Sequence, residues 1–265
     1  MNILNIKEKD LSIIIPFKNG HTLLYSTFIN LLNHLKIDFE IDYVNKSSDV
    51  LNNVYIFVRN PIDRFFSSYY WMQNMIDSDK KFKSEIEEIF NLTKINNIGS
   101  YIENYENFIN NIDDFHFLPQ STEILSFGEY LVKQEIIDST HNLKNLYETK
   151  FLKKYHVFKI EDIDIMVQKS ITSIIDNESR YDDFSYKHEY EFLNFFPKES
   201  HFLFCTFYSY FKSAYDIRHH KKINYFKNIT YDEYYKVCQY TSNELKFFGY
   251  DEKLIPNTEF KRTLI

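Results

Sequence analysis

The stretch Tyr55–Trp71, YIFVRNPIDRFFSSYYW, constrains the fold more than any other part of the chain. Val54–Val58 is an unbroken apolar run, which suits a central strand covered on both faces in a parallel sheet. The run ends in a cation, Arg59, and Asn60 and Pro61 follow. That pair opens a helix: Asn caps the first turn, and Pro has no N–H to lose at the first helical position. Ile62, Phe65, Phe66 and Tyr69 then recur as one buried stripe, so the helix is expected from Pro61 to about Ile76. Arg64, Ser67, Ser68 and Trp71 fall on a different face. Arg59 is thereby set at the carboxyl end of a strand, where α/β sheets bind ligands.

A junction of the same kind lies upstream. Leu11–Phe17, LSIIIPF, reads as a short buried strand, and Leu24, Phe28, Leu31 and Leu35 place an amphipathic helix over Thr22 to about Lys36. Between them stands Lys18-Asn19-Gly20-His21-Thr22, which holds one of only four glycines, so the glycine needs a reason. Two readings stay open: an ordinary strand-to-helix turn, or a loop that cradles a phosphate. For the second, the N–H groups and dipole of a helix N-terminus favour an anion. Gly20 admits close backbone approach, Lys18 adds a charge and Thr22 a hydroxyl. The nucleotide triphosphatase pattern G-x-x-x-x-G-K-[ST] is absent, since the lysine here precedes the glycine.

Elsewhere, residues 39–44 alternate like a strand, and 84–93 and 98–111 are candidate helices. Residues 112–122, NIDDFHFLPQS, read as a loop. A strand is expected at 155–160, a helix from Glu161 to about Ile175, and a last helix from Thr230 to Phe248 with Gly249 as its stop. Residues 177–230 show no clean period. No repeat or linker appears, so residues 1–265 are expected to form one α/β domain. Its sheet should be central, mostly parallel and flanked by helices, with a helix-rich middle and C-terminus.

A net charge of -7 disfavours a general nucleic-acid binder, while leaving room for a small anion held by local cations. Cys205 and Cys238 have no zinc spacing and no disulfide framework, so buried free thiols and no metal are expected. The N-terminus MNILNIKEKD carries charges where a secretion signal needs an apolar core, and the apolar runs are far short of the ~20 residues of a membrane helix. The expectation is a soluble, cytoplasmic protein without a membrane anchor.

Taken together, KNGHT and VRNPIDRFFSSYY resemble the sulfotransferases that use 3′-phosphoadenosine 5′-phosphosulfate (PAPS). In that family a P-K-x-G-T-T-like loop holds the 5′-phosphosulfate, and V-R-[ND]-P-x-x-R-x-x-S-x-Y holds the 3′-phosphate through its Arg and Ser. The second block matches at nearly every position, with Arg59 and Ser67 at the family spacing. The first departs twice: Phe17 is inserted before the lysine, and His21 replaces a small residue. Phe115–Ser121, Tyr155–Ile163 and Tyr240–Asp251 are similar, in the same order, to elements of the branch that includes Golgi carbohydrate sulfotransferases and bacterial relatives.

The resemblance implies a P-loop-like sulfotransferase fold and transfer of a sulfuryl group from PAPS, the co-substrate, to a hydroxyl of an acceptor, expected to be a carbohydrate or glycan. It implies that Lys18, Asn19, Gly20, His21, Thr22 and Leu23 hold the phosphosulfate, with Lys18 also catalytic, and that Arg59 and Ser67 hold the 3′-phosphate. His116 is the candidate general base, against a structural hydrogen bond in its loop; Glu40 and Asp42 stand as substitutes. For Arg64, an ion pair with Asp63 or another carboxylate competes with phosphate binding. The run Arg218–Lys222 reads as a solvated loop or as a lid or clamp on an anion. The competing functions are a catalytically silent PAPS- or nucleotide-binding module and a P-loop-type nucleotide kinase.

Overall fold

Asn2–Ile6 forms strand β1, and a short 3-10 turn at Lys7–Lys9 returns the chain into β2, Leu11–Ile15. There follow α1 (His21–Leu35), β3 (Glu40–Tyr43), β4 (Asn53–Val58), α2 (Pro61–Ser78), α3 (Ile98–Asn111), β5 (Tyr155–Lys159), α4 (Ile160–Ile175), α5 (Glu199–Arg218) and α6 (Tyr231–Phe247). The computed structural model describes residues 2–43, 51, 53–80, 83–84, 86, 88, 97–111, 114, 116–121, 124, 155–175, 191–218 and 229–250. Most of the expected helix at 84–93, and residues 219–222 of the basic run, lie outside the described residues.

The chain divides into two compact units, Met1–Arg59 with Ser126–His219, and Asn60–Leu125 with His220–Ile265. The first unit holds a five-stranded sheet in the order β3-β1-β2-β4-β5 among the described residues. It is mixed, not mostly parallel as expected: β1 is antiparallel to both β2 and β3, while β2–β4 and β4–β5 are parallel. The difference comes from β1, a short strand that the charges at Lys7–Asp10 follow closely. Those charged residues make the hairpin turn, with Asp10 at φ +51, and Ile3, Leu4 and Ile6 are fully buried. Burial of each such side chain is worth about 1.5–3 kcal/mol. Helices flank the sheet, and a cluster of Phe28, Phe57, Phe192 and Phe204 joins α1, β4 and α5, with Phe57 and Phe192 edge to face at 5.3 Å.

The second unit is helical in its described residues. Phe65 and Tyr69 of α2 pack with Tyr101, Tyr105 and Phe108 of α3 and Val237 of α6. Asn60 caps α2 as expected, accepting from the Ile62 N–H at 2.9 Å, with Pro61 in the first turn. Thr230 and Glu233 form a reciprocal capping box on α6, and Gly249 at φ +64 ends that helix.

Candidate functional site

The loop between β2 and α1 is built by backbone hand. Lys18 has φ +65 and Gly20 φ +67, while Asn19 between them stays outside the left-handed region. Alternation of this kind is a feature of anion-binding nests, and here the Asn19 N–H is spent within the loop, donating to the Pro16 carbonyl at 3.2 Å. The first hydrogen bond of α1 runs from the Leu24 N–H to the Gly20 carbonyl at 2.8 Å, so the N–H groups of Thr22 and Leu23 stand ahead of the helical ladder. At Gly20 an added Cβ would sit 3.4 Å from Ile160 Cδ1, and the positive φ would strain any other residue.

Two bonds join this loop to the end of β4. Asn19, fully buried, donates from Nδ2 to the Phe57 carbonyl at 3.1 Å, and Arg59 donates from Nη1 to the Lys18 carbonyl at 3.3 Å. The pairing has a topological setting. From β2 the chain goes to β3 at one edge of the sheet, whereas the next described strand after β4 is β5 at the other edge. The carboxyl ends of β2 and β4 therefore flank a switch point, the usual ligand position in an open α/β sheet. Lys18, Gly20, His21 and Arg59 are half-buried there, Thr22 is exposed and Leu23 is buried.

Phe17 and His21 touch each other. Phe17 packs on the His21 ring at 5.1 Å, and His21 meets Tyr25 edge-on at 4.6 Å. An inserted aromatic and an unusual histidine thus form one short aromatic ladder beside the nest.

Ser67 and His116 belong to the second unit. Ser67 is buried in α2. Arg64 and Ser68 do not form an open phosphate face: they are buried and spent on the turn at 116–121. The Arg64 Nη1 donates to the Leu118 carbonyl, and the Ser68 hydroxyl to the His116 carbonyl at 2.7 Å. The Tyr105 hydroxyl donates to the Phe117 carbonyl at 3.1 Å, and the Glu244 carboxylate accepts from the Ser121 N–H at 2.6 Å. Four side chains on three helices therefore hold the backbone of one turn. Burial pushes the Glu244 carboxyl upward, and the Arg64 charge with the Ser121 N–H pulls it partly back. The Arg64 charge acts on the buried Glu244, whereas Asp63 is exposed.

His116 is presented by that turn. Its Nδ1 lies 2.7 Å from Asp114 Oδ1, which also accepts the His116 backbone N–H at 2.8 Å. The ring stacks on Trp71 with centroids 4.2 Å apart and planes 3° from parallel. Its side chain is 27% exposed. Sequence reasoning missed Asp114; the D-x-H spacing was the available signal, since an aspartate can bond the backbone two residues on. Glu40 and Asp42 have other partners: Glu40 pairs with Lys7 at 2.8 Å, and Asp42 accepts from Asn5 at 3.3 Å. Cys205 and Cys238 are free and buried, as expected, and among the described residues no cluster of ligands could hold a metal. No described helix is long and apolar enough to cross a membrane.

Compared with protein-family models, with curated proteins and with solved structures, the chain shows no significant match in any of the three.

Proposed function

We propose that the chain is a PAPS-dependent sulfotransferase acting on a hydroxyl, with a carbohydrate as the favoured acceptor class. The observation that carries the reading is the first-unit loop: a left-handed Lys18, a left-handed Gly20 and the Arg59 guanidinium come together at a switch point of the sheet. Residues 16–23 contain no carboxylate to repel an anion. These features suit a phosphate-bearing ligand, and the motif resemblance names which one.

In this reading the backbone N–H groups of residues 20–23 and the Thr22 hydroxyl bind the phosphosulfate end, since the Asn19 N–H is taken by the Pro16 carbonyl. Lys18 neutralises charge on the leaving phosphate, and Arg59 binds the 3′-phosphate through charge-assisted hydrogen bonds. The resemblance adds Ser67 to the 3′-phosphate ligands. The acceptor oxygen bonds to sulfur, the bond from sulfur to the phosphate oxygen breaks, and the acceptor's proton passes to a general base, for which the resemblance offers His116. The products are the sulfated acceptor and 3′,5′-ADP.

Thermal denaturation with 3′,5′-ADP tests the binding half. A ligand at about 100 times its Kd adds roughly 2.7 kcal/mol to the native state, a readily visible rise in Tm. A rise with ATP and none with 3′,5′-ADP would favour the kinase reading and sink this one. Release of 3′,5′-ADP from PAPS with a panel of soluble glycans tests the transfer half. Binding without release on any glycan would leave a silent nucleotide-binding module.

A further inference from the structure

We infer that Asp114 is a positioning residue, which keeps the proton of neutral His116 on Nδ1 and so makes Nε2 the basic atom of the ring. This inference rests on the reading of His116 as the acceptor's base.

The geometry runs as follows. A carboxylate has acceptors only, so a ring nitrogen 2.7 Å from Asp114 Oδ1 must carry the hydrogen. In neutral imidazole the other nitrogen is then the acceptor. The same Oδ1 takes the His116 backbone N–H at 2.8 Å, so the carboxylate is anchored to the backbone that carries the ring. Trp71, parallel at 4.2 Å, fixes the plane of the imidazole, and Phe117 packs against Trp71 at 5.3 Å. The backbone below is held by Ser68 on the His116 carbonyl and Tyr105 on the Phe117 carbonyl. Burial pushes the Tyr105 pKa upward, which keeps that hydroxyl a donor. The ring's proton, its plane and its backbone are thus each set by a separate contact. Such fixing is what a base requires, because it must meet its proton with a defined atom and direction.

The test is nitrogen-15 NMR of the full chain with labelled histidine, recorded well above pH ~6.5, where an ordinary imidazole is neutral. The His116 signals are identified by their loss in His116→Gln. The expected result is the Nδ1–H tautomer in the wild type and a shift toward Nε2–H in Asp114→Ala. An Nε2–H tautomer in the wild type overturns the inference, and that measurement depends on no variant's folding. An unchanged tautomer in Asp114→Ala overturns it as well. The same variant should lower kcat for 3′,5′-ADP release on an active glycan by roughly tenfold, short of the ~10²–10⁴ that the general base itself supplies, with 3′,5′-ADP affinity unchanged. The tautomer needs no sulfuryl transfer, so a failure of Asp114 and a failure of the sulfotransferase reading are told apart.

Discussion

The nest of the first unit and the turn of the second reach rigidity by opposite routes. At residues 16–23 the shape lies in the backbone: Pro16, two left-handed residues and a helix start, with the bonds to the end of β4 completing it. At residues 116–121 the shape is imposed from outside, by Arg64, Ser68, Tyr105 and Glu244. A backbone-built site leaves N–H groups at its helix start, here those of Thr22 and Leu23, ahead of the helical ladder. A side-chain-built site uses up its own polar groups and delivers one residue, His116. The first should therefore lose binding when altered, and the second should lose stability.

Arg64→Met tests the second half of that statement most severely. It removes a buried guanidinium (3% exposed) from the Leu118 carbonyl and from the neighbouring carboxyl of Glu244, 6% exposed. Breaking such a buried arrangement costs about 3 kcal/mol. Urea denaturation at neutral pH measures it, and a loss below about 1 kcal/mol would show that the turn does not depend on Arg64. Arg59→Ala tests the first half. Charge-assisted hydrogen bonds are worth about 1.5–3 kcal/mol each, so affinity for 3′,5′-ADP should fall roughly ten- to hundredfold with little change in Tm. Undiminished affinity, measured by calorimetry, removes Arg59 from the site. Lys18→Ala should instead act mainly on kcat.

The same contrast explains what the chain revealed before its structure. The junctions at Lys18–Thr22 and Arg59–Pro61 were legible because proline, glycine and asparagine act on their own backbone within a few residues. β4 and α2 were legible for the same reason, through an unbroken apolar run and a cap. The clamp on 116–121 was not, because its partners come from positions as distant as 64 and 244, and no local pattern links them. α5 was missed for a third reason. Phe204, Cys205 and Tyr208 point into the core, but Phe202 and Tyr210 are exposed, so aromatics on several faces erase the helical period. β1 was missed because a five-residue strand beside a charged turn carries too few alternations to count.

Gly20→Ala sharpens the comparison from the backbone side. A left-handed non-glycine residue costs about 1–2 kcal/mol, and here the new methyl also meets Ile160. Some loss of stability is expected in urea, but the loss of 3′,5′-ADP affinity should exceed it, since relaxing φ at Gly20 re-aims the N–H groups of the nest. An affinity equal to wild type, with stability lowered, would make Gly20 an ordinary helix stop and return the loop to a plain turn.

The smallest effect is a change of slope at Glu244. Burial raises its carboxyl above the ordinary 4.5 of glutamate. The native state therefore holds this proton at pH values where the unfolded chain has released it. Where the native state binds more protons, stability falls as pH rises. The contribution of Glu244 is thus present in full below pH 4.5, declines as pH climbs toward the raised native value, and is flat beyond it. Glu244→Gln keeps an oxygen for the Ser121 N–H and removes the titration. Stability of the variant, followed in urea from mildly acid to neutral pH, should fall less steeply than that of the wild type. Parallel curves would mean that Arg64 and Ser121 offset the burial of Glu244 completely, and the clamp on the His116 turn would then hold equally well at every pH in that range.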